Sequence, residues 1–357
     1  MKFNWKTFLL YASLIIVGGG LIFILVKTVQ GKNTGFETKT LWDWMDLFII
    51  PLVLAIGAFF LNRSESAVER QIAEDRAKLE REIATDRQQE AALQGYLDKM
   101  ADLLLRENLL TTESEEVKHV ARIRTLTVLR GLDANRKGIL LKFIYEANLI
   151  SKVDPVIDLK DADFSNANLT KGKLENANLR NAILVNADLY DANLKDADLS
   201  HINLIGANLN FANLGGANLS FADMDYCVLE GAFLSNADLN NAKLRHAKMH
   251  GANLLNANML GTILKNANLS SAELNGATLI SVVLENTDLS HANLSGADLS
   301  NSLLLNTILR FADLRDAILN NTAFQDADLN GAQVSNEQLA TVSSIKGTTK
   351  PNGDIHE

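Results

Sequence analysis

Six histidines, one cysteine and a dense scatter of Asp and Asn are the residues of this 357-residue chain with chemistry to offer. His246 and His250 stand four apart, a spacing that brings two metal ligands together on a helix but not in extended chain. Asp and Asn recur so regularly that no carboxylate pair stands out as an acid–base couple. No glycine-rich phosphate loop follows a strand-like run. The expectation is a protein that is not an enzyme and uses neither cofactor nor metal.

The regularity itself is the message. From Leu159 to Val334 every fifth residue is Leu, Phe, Met or Val, at 36 positions of which 30 are Leu. Two residues earlier, 26 of the 36 are Ala, and the residue between is Asp or Asn in 21. Five residues of α-helix advance about 500°, so such leucines would spiral around the helix and leave no apolar face. In a straight strand an odd period sends alternate leucines to opposite sides. One shared core requires the chain to turn a corner every five residues, with Ala and Leu facing inward together. A single unit buries one Leu, worth ~1.5–3 kcal/mol, while ordering five backbone residues costs roughly 5–10 kcal/mol. Only a stack is stable, which is the logic of a solenoid. Proline is absent between Val156 and Lys350, as a ladder of donating amides requires. Cys227 falls in an inward Ala slot and reads as a buried small hydrophobe rather than a reactive thiol.

Runs such as DADFSNANL, NADLYDANLKDADLS and SHANLSGADLSN resemble the pentapeptide-repeat family over residues 156–336. The resemblance implies a right-handed quadrilateral β-helix with four repeats per coil, hence about nine coils and a rod roughly 43 Å long at ~4.8 Å per coil. The tail from Ser335 resembles a frequent ending of such proteins, with a short capping helix over the last coil, so residues 337–357 are assigned to a cap. DRQQEAALQGYLDKMADLLL and ARIRTLTVLRGLDANRKG resemble the helical segment that precedes the repeats in membrane-anchored members. For that subgroup the resemblance implies an architecture and no activity.

With four repeats per coil, residues 20 apart stack, and departures from the repeat map onto faces. Ile263, Val283 and Leu303 replace the outward Asp or Asn in one column, with Ala323 above them and Ile183 at its start. Such an apolar stripe is expected to be a contact surface, for a second copy or for another protein. Its inward neighbours Thr262, Val282, Ser302 and Thr322 replace Ala and should alter local packing. His201 below Phe221, Tyr226 below His246 and His291 below Phe311 should form surface stacking ladders.

Ahead of the repeats, Phe8–Val26 is a run of 19 uncharged residues, close to the ~20 that span a bilayer core. A second apolar run, Leu47–Leu61, follows Trp42 and Trp44, with Pro51 able to kink it. Residues 1–61 are therefore expected to be a two-span membrane anchor, inserted in the lipid bilayer. Lys2, Lys6, Arg63, Arg70, Arg76, Lys78 and Arg81 outnumber Lys27, Lys32 and Lys39 of the loop, which places both ends and the repeats in the cytoplasm.

Residues 62–90 are charged, with pairs Arg70/Glu74, Glu74/Lys78, Arg76/Glu80 and Lys78/Glu82 at helical spacing, and predict an exposed helical stalk. Ile72, Leu79 and Ile83 make a thin seam broken by Arg76 and Asp86. Residues 91–155 predict a small helical module from the patterns Leu93/Leu97/Met100/Leu104, Val117/Val120/Ile123/Leu126 and Ile139/Phe143/Leu149. Thr112 with Glu115 is the expected capping box of its second helix and Asp133 the cap of its third. Lys118, Arg122, Arg124, Arg130, Arg136, Lys137 and Lys142, with Asp133 as the one acid among them, form a candidate basic patch toward anionic lipid or nucleic acid; pairing with the stalk's acids is the alternative.

The whole predicts a non-catalytic, membrane-anchored scaffold whose rod meets a protein partner or a second copy, making a homo-oligomer. The alternative is duplex-DNA mimicry toward a topoisomerase such as gyrase, suggested by the quinolone-resistance branch of the family and by 20 acidic against 11 basic residues in the repeats. Nucleic acid itself is not an expected partner. A pore built from the two spans, with Gly18-Gly19-Gly20 allowing close approach and Asp43 and Asp46 near one mouth, is a weaker third reading.

Overall fold

The computed structural model describes residues 41–356. The chain falls into two compact units, Met1–Glu82 and Ile83–Glu357, each taken by itself below. Helix α1, Leu41–Arg106, is unbroken through the junctions expected at 61/62 and 90/91. After Pro51 the next proline is Pro155, and the intervening Ala, Glu, Arg, Leu and Gln favour helix. Of the four expected stalk pairs, Lys78–Glu82 stands at 4.0 Å.

The two-span anchor finds no support in these elements. The run Phe8–Val26 and its triple glycine lie outside the described residues. Among those described, no helix is long and apolar enough to cross a membrane. The second run has 15 residues before Asn62 and Arg63, short of the ~20 a span needs.

In the second unit α1 is joined by α2 (Glu115–Leu129) and α3 (Ala134–Glu146). The first expected seam is correct: Leu93 and Met100 are buried, with Leu97 and Leu104 packed against them. The second is half correct, Val117 and Leu126 packing against the core while Val120 and Ile123 do not. α2 buries Ala121, Thr125 and Leu129 and leaves Val120 and Ile123 exposed. A polar pair explains the shift, since the Tyr96 hydroxyl lies 2.9 Å from Thr125 Oγ1, which also reaches the Ala121 carbonyl. The buried Tyr96 hydroxyl has Thr125 as its partner, so the seam follows Thr125 rather than the larger aliphatics, and burial pushes the Tyr96 phenol well above its ordinary value. α3 buries Leu140, Leu141 and Ile144 in place of Ile139, which is exposed. Asp133 caps α3 as expected, but the cap of α2 is Ser114, whose own N–H is taken by Thr112.

The repeats then stack in parallel, each residue of the Asp/Asn slot pairing with its counterpart 20 residues on, from Asp163↔Ile183 to Asp313↔Gln333. Four slots per 20 residues make a four-sided β-helix whose Ala and Leu columns fill one continuous core. Each repeat turns its corner through a residue at positive φ. Every fifth position from Asp161 to Gly331 has φ between +53° and +71°, and Asn, Gly and Asp hold most of them. With the bond from the following Ala N–H to the preceding Leu carbonyl, 2.9 Å for Ala162 to Leu159, this is the signature of a type II turn.

The backbone accounts for four of the five N–H groups in a typical repeat. In the repeat centred on Leu184, Ala182 donates to the turn and Ile183 to the coil below, while Leu184 and Asn186 donate to the coil above. The fifth N–H, on the residue after Leu, points outward. Wherever the slot before Leu holds Asp or Asn, all 21 times, its Oδ1 accepts that N–H. The Asp/Asn preference is therefore a backbone-satisfaction rule and not simply a polar surface.

Both open edges are covered, as an exposed sheet end requires. At the first coil Asn168 and Asn178 donate to the Ala134 and Ile150 carbonyls, 2.9 and 2.7 Å. At the other end α4 (Asn336–Leu339) starts at Ser335, as expected; it has a capping box through Gln338, whose Nε2 donates to the carbonyls of Leu314 and Ala317. The tail does more than cap. Ser344 and Thr349 rejoin the ladder on Ala323 and Asp328, adding two sides of a further coil.

Candidate interaction surfaces

The apolar column is real as a geometric object. Ile263, Val283, Leu303 and Ala323 pair in succession up one side, with Lys243 below and Ser344 above. Leu303 is 44% exposed and the other three are half-buried. Replacing Asp/Asn in this slot has a second effect that periodicity does not reveal. The N–H groups of Lys265, Glu285, Leu305 and Gln325 lose their side-chain acceptor and donate to nothing among the described residues. The column thus joins stacked apolar side chains to a row of unpaired outward donors. Leu260 and Ile308, 39% and 40% exposed, lie on the neighbouring corner and side of the same coils. Behind the column Thr262, Ser302 and Thr322 are fully buried and donate to the Leu239, Leu279 and Leu299 carbonyls at 2.6–2.9 Å, so each hydroxyl in the altered inward slots has a partner.

The seven basic residues do not act as one patch. Arg136, whose side chain is 15% exposed, binds Asp86 at 2.7 Å and Glu90 at 3.0 Å on α1, together with Gln89 and Asp133. Lys137 is buried and reaches the Ser165 carbonyl at 3.2 Å and Asp163 at 3.6 Å. Arg122 donates to the carbonyls of Asp158 and Lys160. Lys118 and Lys142 pair within their own helices with Glu115 and Glu146. Arg124 and Arg130 are exposed and form no ion pair among the described residues. Three of the seven, Arg122, Arg136 and Lys137, join helices to one another and to the first coil. The signal for it was present in α1, where Asp86 is one of the two charged residues that break the apolar seam. Burial works against ionising Asp133 and Asp163, yet hydrogen bonds and charge from Arg136, and from Ser165 and Lys137, hold both below the ordinary carboxylate value.

The expected aromatic ladders form. His201–Phe221, Tyr226–His246 and His291–Phe311 stack at 5.0, 4.7 and 5.2 Å with interplanar angles of 5°, 2° and 15°. Cys227 is buried, its Sγ donating to the Leu204 carbonyl, and burial pushes its thiol up to about 12. Thiolate chemistry is closed to it at neutral pH. Among the described residues no group of His, Cys, Asp and Glu is placed to hold a metal ion.

The family model described as pentapeptide repeats matches residues 162–200, 202–241, 242–279, 267–306 and 307–336. Among solved structures, HetL, a pentapeptide repeat protein involved in heterocyst differentiation regulation from the cyanobacterium Nostoc, is 28% identical. The match covers 60% of this chain and 98% of HetL, with a TM-score of 0.31. Rfr23, a pentapeptide repeat protein from the cyanobacterium Cyanothece, is 39% identical over 27% of this chain and 62% of its own, at TM-score 0.24. A trypsin-treated variant of QnrB1, a plasmid-mediated fluoroquinolone resistance protein, is 17% identical over 55% of this chain and 88% of its own, at TM-score 0.44. No curated protein matches the sequence.

Proposed function

We propose, for a chain whose residues 162–336 place it in the pentapeptide-repeat family, that it is a non-catalytic scaffold, tethered to a membrane by its N-terminal apolar runs, presenting the β-helix to a protein partner on the cytoplasmic side. The observation that carries the contact is the Ile263–Val283–Leu303–Ala323 column, where apolar side chains and unpaired N–H donors replace a self-satisfied Asp/Asn ladder over four coils. A partner covering the column would bury the side chains and accept from the amides. Support for the tether is the 19-residue run Phe8–Val26 and the exposure of Val53, Leu54, Phe59, Phe60 and Leu61 on α1, between 45% and 67%. The charge asymmetry around the runs favours the cytoplasmic side.

The test of the contact is Val283→Asn, which restores the residue the repeat uses elsewhere, together with an acceptor for Glu285 N–H. The variant should fold at least as stably as the parent and lose self-association in light scattering, or lose a partner cross-linked through position 303. Unchanged association would remove the column from the reading. Carbonate extraction and protease protection of the full chain test the tether, and release into the carbonate supernatant would end it.

A further inference from the structure

Three consecutive residues of the first coil break the repeat at one place. Lys171 is the one lysine among the positive-φ corners, at φ +56°. Gly172 is the one glycine in the inward slot, and Lys173 stands where Asp or Asn is usual. A side chain other than Gly, Asn or Asp at such a corner costs about 1–2 kcal/mol. All three residues line one groove of about 520 Å³ between α3 and the coil, whose other walls include Ile139, Lys142 and Leu169.

The groove is built rather than accidental. A Cβ on Gly138 would lie 2.1 Å from the Asn168 carbonyl oxygen, so this glycine sets α3 against the coil and fixes the groove's width. Ile139 is 52% exposed although α3 buries its other large aliphatics. Lys171 and Lys173 are exposed and form no ion pair among the described residues, while Lys142 has Glu146 at 3.8 Å.

We propose that this groove binds an acidic peptide segment of a partner protein, seating one apolar side chain on Ile139 while its carboxylates meet Lys171 and Lys173. A flat lipid surface does not enter a concave site, and the groove offers no aromatic ring on which a base would stack. The site is independent of the Val283 column, and its test does not need that contact to exist.

The probe is a fluorescein-labelled octapeptide, Glu-Asp-Leu-Glu-Asp-Leu-Asp-Glu, titrated by anisotropy against the full chain in detergent micelles. Binding should weaken about tenfold from low to high salt. Lys171→Glu with Lys173→Glu should weaken it by about tenfold or more. Lys171→Asn with Lys173→Asn restores the repeat's own residues, so it should keep the fold, by circular dichroism, and still lose the peptide. Val283→Asn should bind as the parent does. No peptide binding, binding that ignores both double variants, or tighter binding to phosphatidylglycerol vesicles or duplex DNA would each overturn the proposal.

Discussion

Arg136 of α3 and Asp86 of α1 are fifty residues apart in sequence and 2.7 Å apart in space. With Glu90 at 3.0 Å, the guanidinium bridges two successive turns of α1 at the point where its seam becomes polar. Arg136→Ala should loosen α1 from α3, costing about 1.5–3 kcal/mol, the worth of hydrogen bonds to a charged group. Faster amide exchange confined to residues 86–104 and a lowered melting temperature would show it, and an unchanged exchange pattern would contradict it.

The outward N–H rule makes a second prediction. Asp298 accepts from the N–H and the hydroxyl of Ser300 at 2.9 and 2.6 Å. Asp298→Ala should destabilise the stack by about 1 kcal/mol, and Asp298→Asn by clearly less, because the amide oxygen keeps the backbone bond. Equal losses in chemical denaturation would mean that charge, not the backbone bond, is what matters in the slot.

Gly331 has φ +71°, and a Cβ there would lie 2.5 Å from the Phe311 ring. Gly331→Ala should cost about 1–2 kcal/mol for the left-handed backbone, plus a contribution from displacing the ring. Phe311→Ala should relieve the second part and leave the first. A double-mutant cycle should therefore return a coupling of about 0.5–3 kcal/mol; strict additivity would show that the ring simply swings away.

Asp133 and Asp163 are both held below the ordinary carboxylate value of 3.8 when folded. Their stabilisation is fully present above the unfolded value and is lost as pH falls through the folded values. The melting temperature should fall on acidification below about pH 4, and Asp163→Asn, which keeps an acceptor for Ser165 N–H, should fall less steeply. A slope unaffected by this substitution would assign the acid loss elsewhere.

The Leu and Ala columns were legible because inward packing imposes one strict period, and the apolar column and the His–Phe stacks followed once residues 20 apart were aligned. The role of Asp and Asn was not, because Asp298 looks solvent-facing by pleat alternation while its oxygen turns back on Ser300 N–H. The positive-φ corners escaped for a related reason: Asn256, Gly261 and Phe311 share a backbone state but no side-chain property. In the helices, counting large aliphatics pointed to Ile123 and missed Thr125, since the hydroxyl pair with Tyr96 fixes which face turns inward. For the basic residues of α2 and α3 the sequence offered both a surface and pairing with the stalk's acids; it did not single out Arg136 and Lys137, because Asp86 and Asp163 are distant in sequence.

The twenty-residue closure has a consequence for how such a chain can vary. Duplicating or deleting twenty residues adds or removes one storey, ~4.8 Å, and leaves every later side facing its original compass point. Five residues added between Lys173 and Ile263 would instead turn everything beyond them by a quarter. The stack is therefore a dial as well as a ruler, and a single repeat gained or lost would re-aim the Val283 column away from the side on which it now stands relative to the Lys171 groove.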